Sequence, residues 1–159
     1  MSVNSYYKVL NKIKDFFLVD NTDKFRTVTT GDIYSIDLSK QTIFPLAHII
    51  VNNIVQNEHT QRYNVSFLAM DIVDISKEEE TDTFYGNNNE ADILNTQLAN
   101  INFLIESMRR GELFKDNFRI VEDTEVIIEP FYEKSENMLA GWSATMDIEV
   151  RNNILSDLC

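Results

Sequence analysis

The sequence predicts an α+β domain of two layers, a mostly antiparallel sheet of about four or more strands packed against two amphipathic helices. Three observations carry that reading. Residues Leu139 to Arg151 alternate without a fault, with Trp142, Ala144, Met146, Ile148 and Val150 on one side. Gly141, Ser143, Thr145, Asp147, Glu149 and Arg151 fall on the other. Successive side chains of a strand point to opposite faces, so this is a strand with one buried face and one wet face, as in an antiparallel sheet covered on one side. Two apolar, β-branched sets, Leu46 to Gln56 and Arg62 to Ile75, flank Asn57-Glu58-His59-Thr60 and read as a hairpin. Finally, residues 4–18 and the stretch opening at Asn89 follow helical spacing instead.

Taken in order, Tyr6, Val9, Leu10, Ile13, Phe16 and Phe17 share one helical face, opposite Lys8, Asn11, Lys12 and Asp15. Asp20, Asn21 and Asp23 supply turn chemistry, and Arg26 to Thr30 suits an edge strand ending at Gly31. Ile33, Tyr34 and Ile36 lead through the polar patch Asp37 to Gln41 toward Pro45. The hairpin of two long strands is expected in the middle of the sheet, with both faces nearly dry. Ser76 to Asn89 carries Lys77, Glu78, Glu79, Glu80, Asp82 and a Gly86-Asn87-Asn88-Asn89 run, and reads as a long exposed acidic loop.

The next helix is the best signalled. Asn89 is placed to cap it, Glu90 and Asp92 favour its positive end, and Arg109 and Arg110 occupy the last turn before Gly111. Its expected stripe is Leu94, Leu98, Ile101, Leu104, Ile105 and Met108, with Asn95, Asn100, Asn102 and Glu106 elsewhere. Phe114, Phe118 and Ile120 cross a linking segment to a strand at Glu125 to Tyr132, which pairs with Leu139 to Arg151 as a second hairpin. Residues 1–151 thus read as one domain, followed by a tail, 152–159, with Ile154 and Leu158 as its large apolar anchors.

Composition bounds the function. The chain has 159 residues, 43% of them hydrophobic and 25% charged, which suits a soluble globular protein able to bury its own core. No apolar run reaches the roughly 20 residues a membrane helix needs, and the first residues lack the pattern of a signal peptide, so an intracellular site of synthesis is expected. Cys159 is the sole cysteine, which excludes a disulfide framework. A net charge of −12 argues against a surface built to grip phosphate backbones.

Catalytic and cofactor signatures are sparse. His48 and His59 lie across the hairpin without paired cysteines or a metal-binding spacing, and structural or surface roles suit them better. Asp71 and Asp74, near Glu78 to Glu80, can offer oxygen ligands to a hard cation, but without the alternation and central glycine of a calcium loop. Gly31, Gly86, Gly111 and Gly141 stand too far apart to form a phosphate loop. Arg109-Arg110 is explained by its place in a helix's last turn, and Trp142 fits core or interface better than a stacking platform. No catalytic residue, cofactor or metal is therefore assigned.

Several phrases resemble a known family. Leu139-Ala140-Gly141-Trp142-Ser143-Ala144-Thr145-Met146-Asp147-Ile148-Glu149-Val150, preceded by Glu129-Pro130-Phe131, resembles the closing hairpin of phage tail-terminator (tail completion) proteins. Thr42-Ile43-Phe44-Pro45-Leu46-Ala47-His48-Ile49 is similar to the segment entering their first central strand. The helix from Asn95-Thr96-Gln97-Leu98 to Arg109-Arg110-Gly111 resembles the helix before that hairpin. The resemblance spans the first helix to about Val150 and is closest to neck proteins of crAss-like and related phages.

What the resemblance implies is a structural virion subunit, made in the bacterial host cytoplasm, that forms a ring at the phage neck. Such a ring caps the tail tube, joins it to the portal side and lets genome DNA pass without specific binding, with no membrane involved. A hexamer is favoured, and a dodecamer, the symmetry of portal-side adaptor rings, stays open. Expected interface residues are Glu78, Glu79, Glu80, Asp82, Asn87 and Asn88 of the acidic loop, Arg109, Arg110, Trp142, and the tail anchors Ile154 and Leu158. Two other classes compete. One is a small metal-dependent hydrolase using His48, His59, Asp71 and Asp74. The other is a monomeric adaptor that binds a peptide along a free strand edge.

Overall fold

The computed structural model describes residues 5–32, 41–74, 82–86, 89–133 and 139–151. Helix α1, Ser5–Asp15, runs into a π-turn at Phe16–Asp20, followed by strand β1 at Thr27–Thr30. Strands β2, Leu46–Gln56, and β3, Thr60–Ile72, form the predicted hairpin. Helix α2, Glu90–Arg110, leads through a short helix α3, Glu112–Lys115, to β4, Arg119–Ile120. Strands β5, Ile127–Glu133, and β6, Leu139–Arg151, are the last elements among the described residues. The architecture is α+β, as the periodicities predict: a six-stranded sheet with α1 and α2 on one face.

The sheet runs β1-β2-β3-β6-β4, and β5 also pairs with β6. All pairings are antiparallel except β1 with β2, where Thr27 sits opposite Leu46. Strands β4 and β5 share one edge of β6 end to end, since Ile120 pairs with Ile148 and Ile127 with Thr145. The segment expected to be a plain link between α2 and β5 therefore contains a helical turn and a two-residue strand. Local patterning cannot reveal a strand that short, because its identity comes from its partner.

Register explains the core. Ile49, Phe67 and Ala144 lie side by side on the helix-covered face, as do Val51, Val65 and Met146. Val9, Ile13, Phe16 and Phe17 from the first helical segment, and Ile101, Leu104 and Met108 from α2, close over them. Phe67 stacks on Phe17 at 5.5 Å between centroids and meets Phe25 edge-on at 6.0 Å. Burial of these aromatics contributes to the stability of this layer beside the aliphatic side chains packed with them.

Helix α2 corrects the expected stripe. Ile93, Gln97 and Asn100 are buried along with Ile101, Leu104, Ile105, Ser107 and Met108, whereas Leu94 and Leu98 are only partly covered. Both stripes satisfy helical spacing, and the sheet beneath selects between them. Asn100 Nδ2 donates to Gln97 Oε1 at 3.3 Å, which offsets part of the cost of burying two amides. Asn89 does not cap α2 through its side chain. Its Oδ1 accepts from the Asp74 backbone N–H at 2.6 Å and ties the end of the hairpin to the start of the helix.

The opposite sheet face is divided. At one end Leu46, Met70 and Leu139 form a small second core with Phe44, joined by Ile43, Leu68, Ile72 and Phe131. Gly141, expected on the wet face, is buried here. A Cβ at Gly141 would stand 2.0 Å from the Ala69 carbonyl oxygen, so the close approach of β6 to β3 requires glycine. The expectation that the hairpin is dry on both faces also fails at the other end, where Asn52 to Gln56 are exposed.

Candidate functional site

Away from the second core, the open face of the sheet carries a ladder of polar side chains. Asn52 Nδ2 donates to Asn64 Oδ1 at 2.9 Å and to Ser66 Oγ at 2.8 Å. Asn64 Nδ2 donates to Asp147 Oδ1 at 3.0 Å, and the Ser66 and Thr145 hydroxyls meet at 3.3 Å. The ladder crosses β2, β3 and β6. It begins where the β2–β3 register shifts between Val51 and Asn53: Asn52, next after Val51, falls on the open face, and the extra residue brings Asn53 opposite Asn64 onto that face as well. Such cross-strand pairs stiffen a sheet and leave it wettable.

Both lateral edges of the sheet are open among the described residues. On one side β1 covers only Leu46 to Ile49 of β2, so the edge of β2 from Ile50 to Gln56 has no strand beside it. Ile54 and Val55 there are 44% and 49% exposed. On the other side β5 pairs only with β6 and presents Ile127 at 60% exposure together with exposed Glu129 and Pro130. Open backbone donors and acceptors flanked by apolar side chains are a template for pairing with another chain. A proline on β5 suits an edge, where its missing N–H breaks no internal ladder.

The sequence-derived site residues are placed unequally. Asp82 is exposed, and its Oδ1 accepts from the N–H groups of Phe84 and Tyr85 at 2.9 and 3.2 Å. Gly86, at φ 77°, closes the turn by donating its N–H to the Asp82 carbonyl. The turn displays Phe84 at 83% exposure against Tyr85, edge to face at 4.7 Å. Sequence reasoning missed this aromatic pair; its signal was two large apolar side chains inside a polar loop. Glu78, Glu79, Glu80, Asn87, Asn88, Ile154 and Leu158 lie outside the described residues, as does Cys159.

Arg109 and Arg110 are exposed but engaged within the chain. Arg109 Nη2 donates to the Thr124 carbonyl at 3.3 Å, and Arg110 Nε stands 2.6 Å from Glu106 Oε2 one turn back. Trp142 is half-buried on the helix-covered face, where its Nε1 donates to the Leu94 carbonyl at 2.7 Å. Its indole thus joins the sheet to α2 within the chain.

The hydrolase constellation does not come together. His48 is fully buried near the start of β2, opposite Leu68, whereas His59 is exposed in the hairpin turn at the far end of that strand. Asp71 lies three positions beyond Leu68 and so faces the other side of the sheet. His48 Nδ1 lies 2.7 Å from Thr29 Oγ1 and Nε2 lies 2.8 Å from the Gly31 carbonyl oxygen. A neutral ring that donates from Nε2 and accepts at Nδ1 satisfies both. Burial lowers its pKa, opposed by the Gly31 hydrogen bond and by Asp32. Burial likewise raises the Asp71 carboxyl, partly offset by the Ile72 N–H it accepts. Among the described residues no group of three or more His, Cys, Asp or Glu is arranged to hold a metal ion, and no helix is long and apolar enough to cross a membrane.

No protein-family model matches the chain, and no curated protein matches it.

Proposed function

We propose that this protein is a structural subunit of a ring at the neck of a tailed phage virion, where the ring caps the tail tube and joins it to the portal side. The observation that carries the reading is the pair of unlike open edges, β2 from Ile50 to Gln56 on one side and β5 on the other. When one subunit's first edge meets the next subunit's second edge the contact is head-to-tail, and such contacts close into rings when the rotation permits. The wording of the β5–β6 hairpin and of the Thr42 to Ile49 entry segment supports the same assignment. The net charge of −12 suits a channel past which a polyanionic genome slides without sticking.

Native mass spectrometry and electron microscopy of the purified protein test this. Closed rings of six, or of twelve for a position nearer the portal, are the expected outcome. A chain that stays monomeric at every concentration overturns the reading. Tight retention of duplex DNA by purified rings at physiological salt overturns the sliding channel.

A further inference from the structure

The helical side of the molecule carries a second surface. A cleft of about 770 Å³ runs between the end of α1 with its π-turn and the junction of α2 with α3. Phe16 and Phe103 stack at 5.2 Å to form its floor, with Leu113 beside them. Phe103 stays 37% exposed and Val19 67% exposed. The rim is acidic: Asp15 and Asp20 stand on one wall, and Glu112 and Asp116 on the other. Lys12 is the basic lining residue, and its Nζ is held 2.9 Å from Asp116.

Two further observations point to a ligand. Ser107, nine-tenths buried, lines the cleft, and its hydroxyl has no hydrogen-bond partner among the described residues. A buried hydroxyl is costly unless something bonds to it. In addition, Lys24 Nζ stands 4.7 Å from the centre of the Phe103 ring, so the exposed ring already attracts an ammonium group.

We propose that this cleft docks a basic amphipathic peptide segment of a partner protein. Its Lys or Arg side chains would meet Asp15, Asp20 and Glu112, an apolar side chain would lie against Phe16, Phe103 and Val19, and a polar group would reach the Ser107 hydroxyl. Charge complementarity selects a different protein over a second copy: this chain is strongly acidic, and its own last segment, Asn152 to Cys159, carries Asp157 and neither Lys nor Arg. The docking is independent of ring formation, because none of these residues lies on a sheet edge.

The test uses the full chain and a fluorescein-labelled peptide of Lys and Leu at helical spacing, with a Glu and Leu counterpart, followed by anisotropy at physiological salt. The Lys peptide is expected to bind and the Glu peptide to fail. Reversing one charge on each wall, Asp20→Lys with Glu112→Lys, is expected to weaken binding about tenfold. The same change of net charge placed elsewhere, Glu58→Lys with Glu122→Lys, is expected to leave it unchanged. Equal loss in both double variants reduces the effect to bulk attraction and overturns the proposal, as does binding of the Glu peptide. Chemical-shift mapping on the unsubstituted protein gives an independent reading. Shifts centred on Phe16, Phe103 and Leu113 support the site, and shifts confined elsewhere overturn it.

Discussion

Strand β2 has two halves of opposite fates, although both carry large apolar side chains. Leu46, Ala47, His48 and Ile49 are buried at 1% exposure or less, while Ile54 and Val55 are 44% and 49% exposed. The first half has β1 on its flank, core clusters on both faces, and α1 with its π-turn above it. The second half begins at the register shift by Asn52 and has β3 as its one neighbouring strand among the described residues. Hydrophobic composition therefore says that a surface seeks cover, and tertiary neighbours decide whether the same chain supplies it. The uncovered half of β2 is one of the two edges on which the proposed ring contact rests.

Substitutions along these strands can break or sharpen that contrast. The largest loss is expected from Phe67→Ala, across from Ile49, at about 3–5 kcal/mol in urea unfolding, because the ring joins β3 to Phe17 and Phe25. Leu46→Ala at the covered end is expected to cost about 2–4 kcal/mol, since it opens a cavity in the second core. Gly141→Ala in the facing segment of β6 forces Cβ against the Ala69 carbonyl and is expected to cost about 1–3 kcal/mol. A loss below about 0.5 kcal/mol there would show that β6 can retreat from β3 freely.

Acid provides a gentler probe of the covered half. The folded protein holds His48 neutral with a lowered pKa, while the unfolded chain takes up a proton as pH falls through its ordinary 6.5. The unfolded state then binds more protons, so this contribution is present above pH 6.5 and is lost as pH falls toward the folded value. Urea midpoints measured on either side of that pH are expected to diverge, and His48→Gln is expected to flatten the difference. The smallest effect on stability belongs to Val55→Thr, within about 0.5 kcal/mol, whereas the yield of closed rings in native mass spectrometry should fall. If Val55→Thr instead destabilised the subunit as much as Leu46→Ala, the contrast between the two halves would be void.

Much of the architecture was legible in local chemistry. The alternation from Leu139 to Arg151 placed β6 with both its ends, Glu90, Asp92, Arg109 and Arg110 bracketed α2, and the Asn57 to Thr60 turn placed the hairpin. The shift of the α2 stripe to Ile93, Gln97 and Asn100 was not legible, because two stripes one residue apart satisfy the same period. Nor was β4, whose two residues become a strand only by lying against Glu149 and Ile148. The candidate surfaces were the least legible part. Expected interface residues such as Arg110 and Trp142 turned out to be held by Glu106 and Leu94 of the same chain. The unlike edges and the acidic cleft carry no local signal, because each is assembled from distant segments.

What the amino-acid order determined alone is the kind of each element and the side of it that is apolar, since period, capping and turn chemistry are properties of a few consecutive residues. Tertiary structure decided which apolar side is covered, which edge stays open, and that Asp20 and Glu112 face one cleft. Those outcomes depend on pairings between distant parts of the chain, where the free energy of burial is shared among several elements and no single segment holds the deciding term.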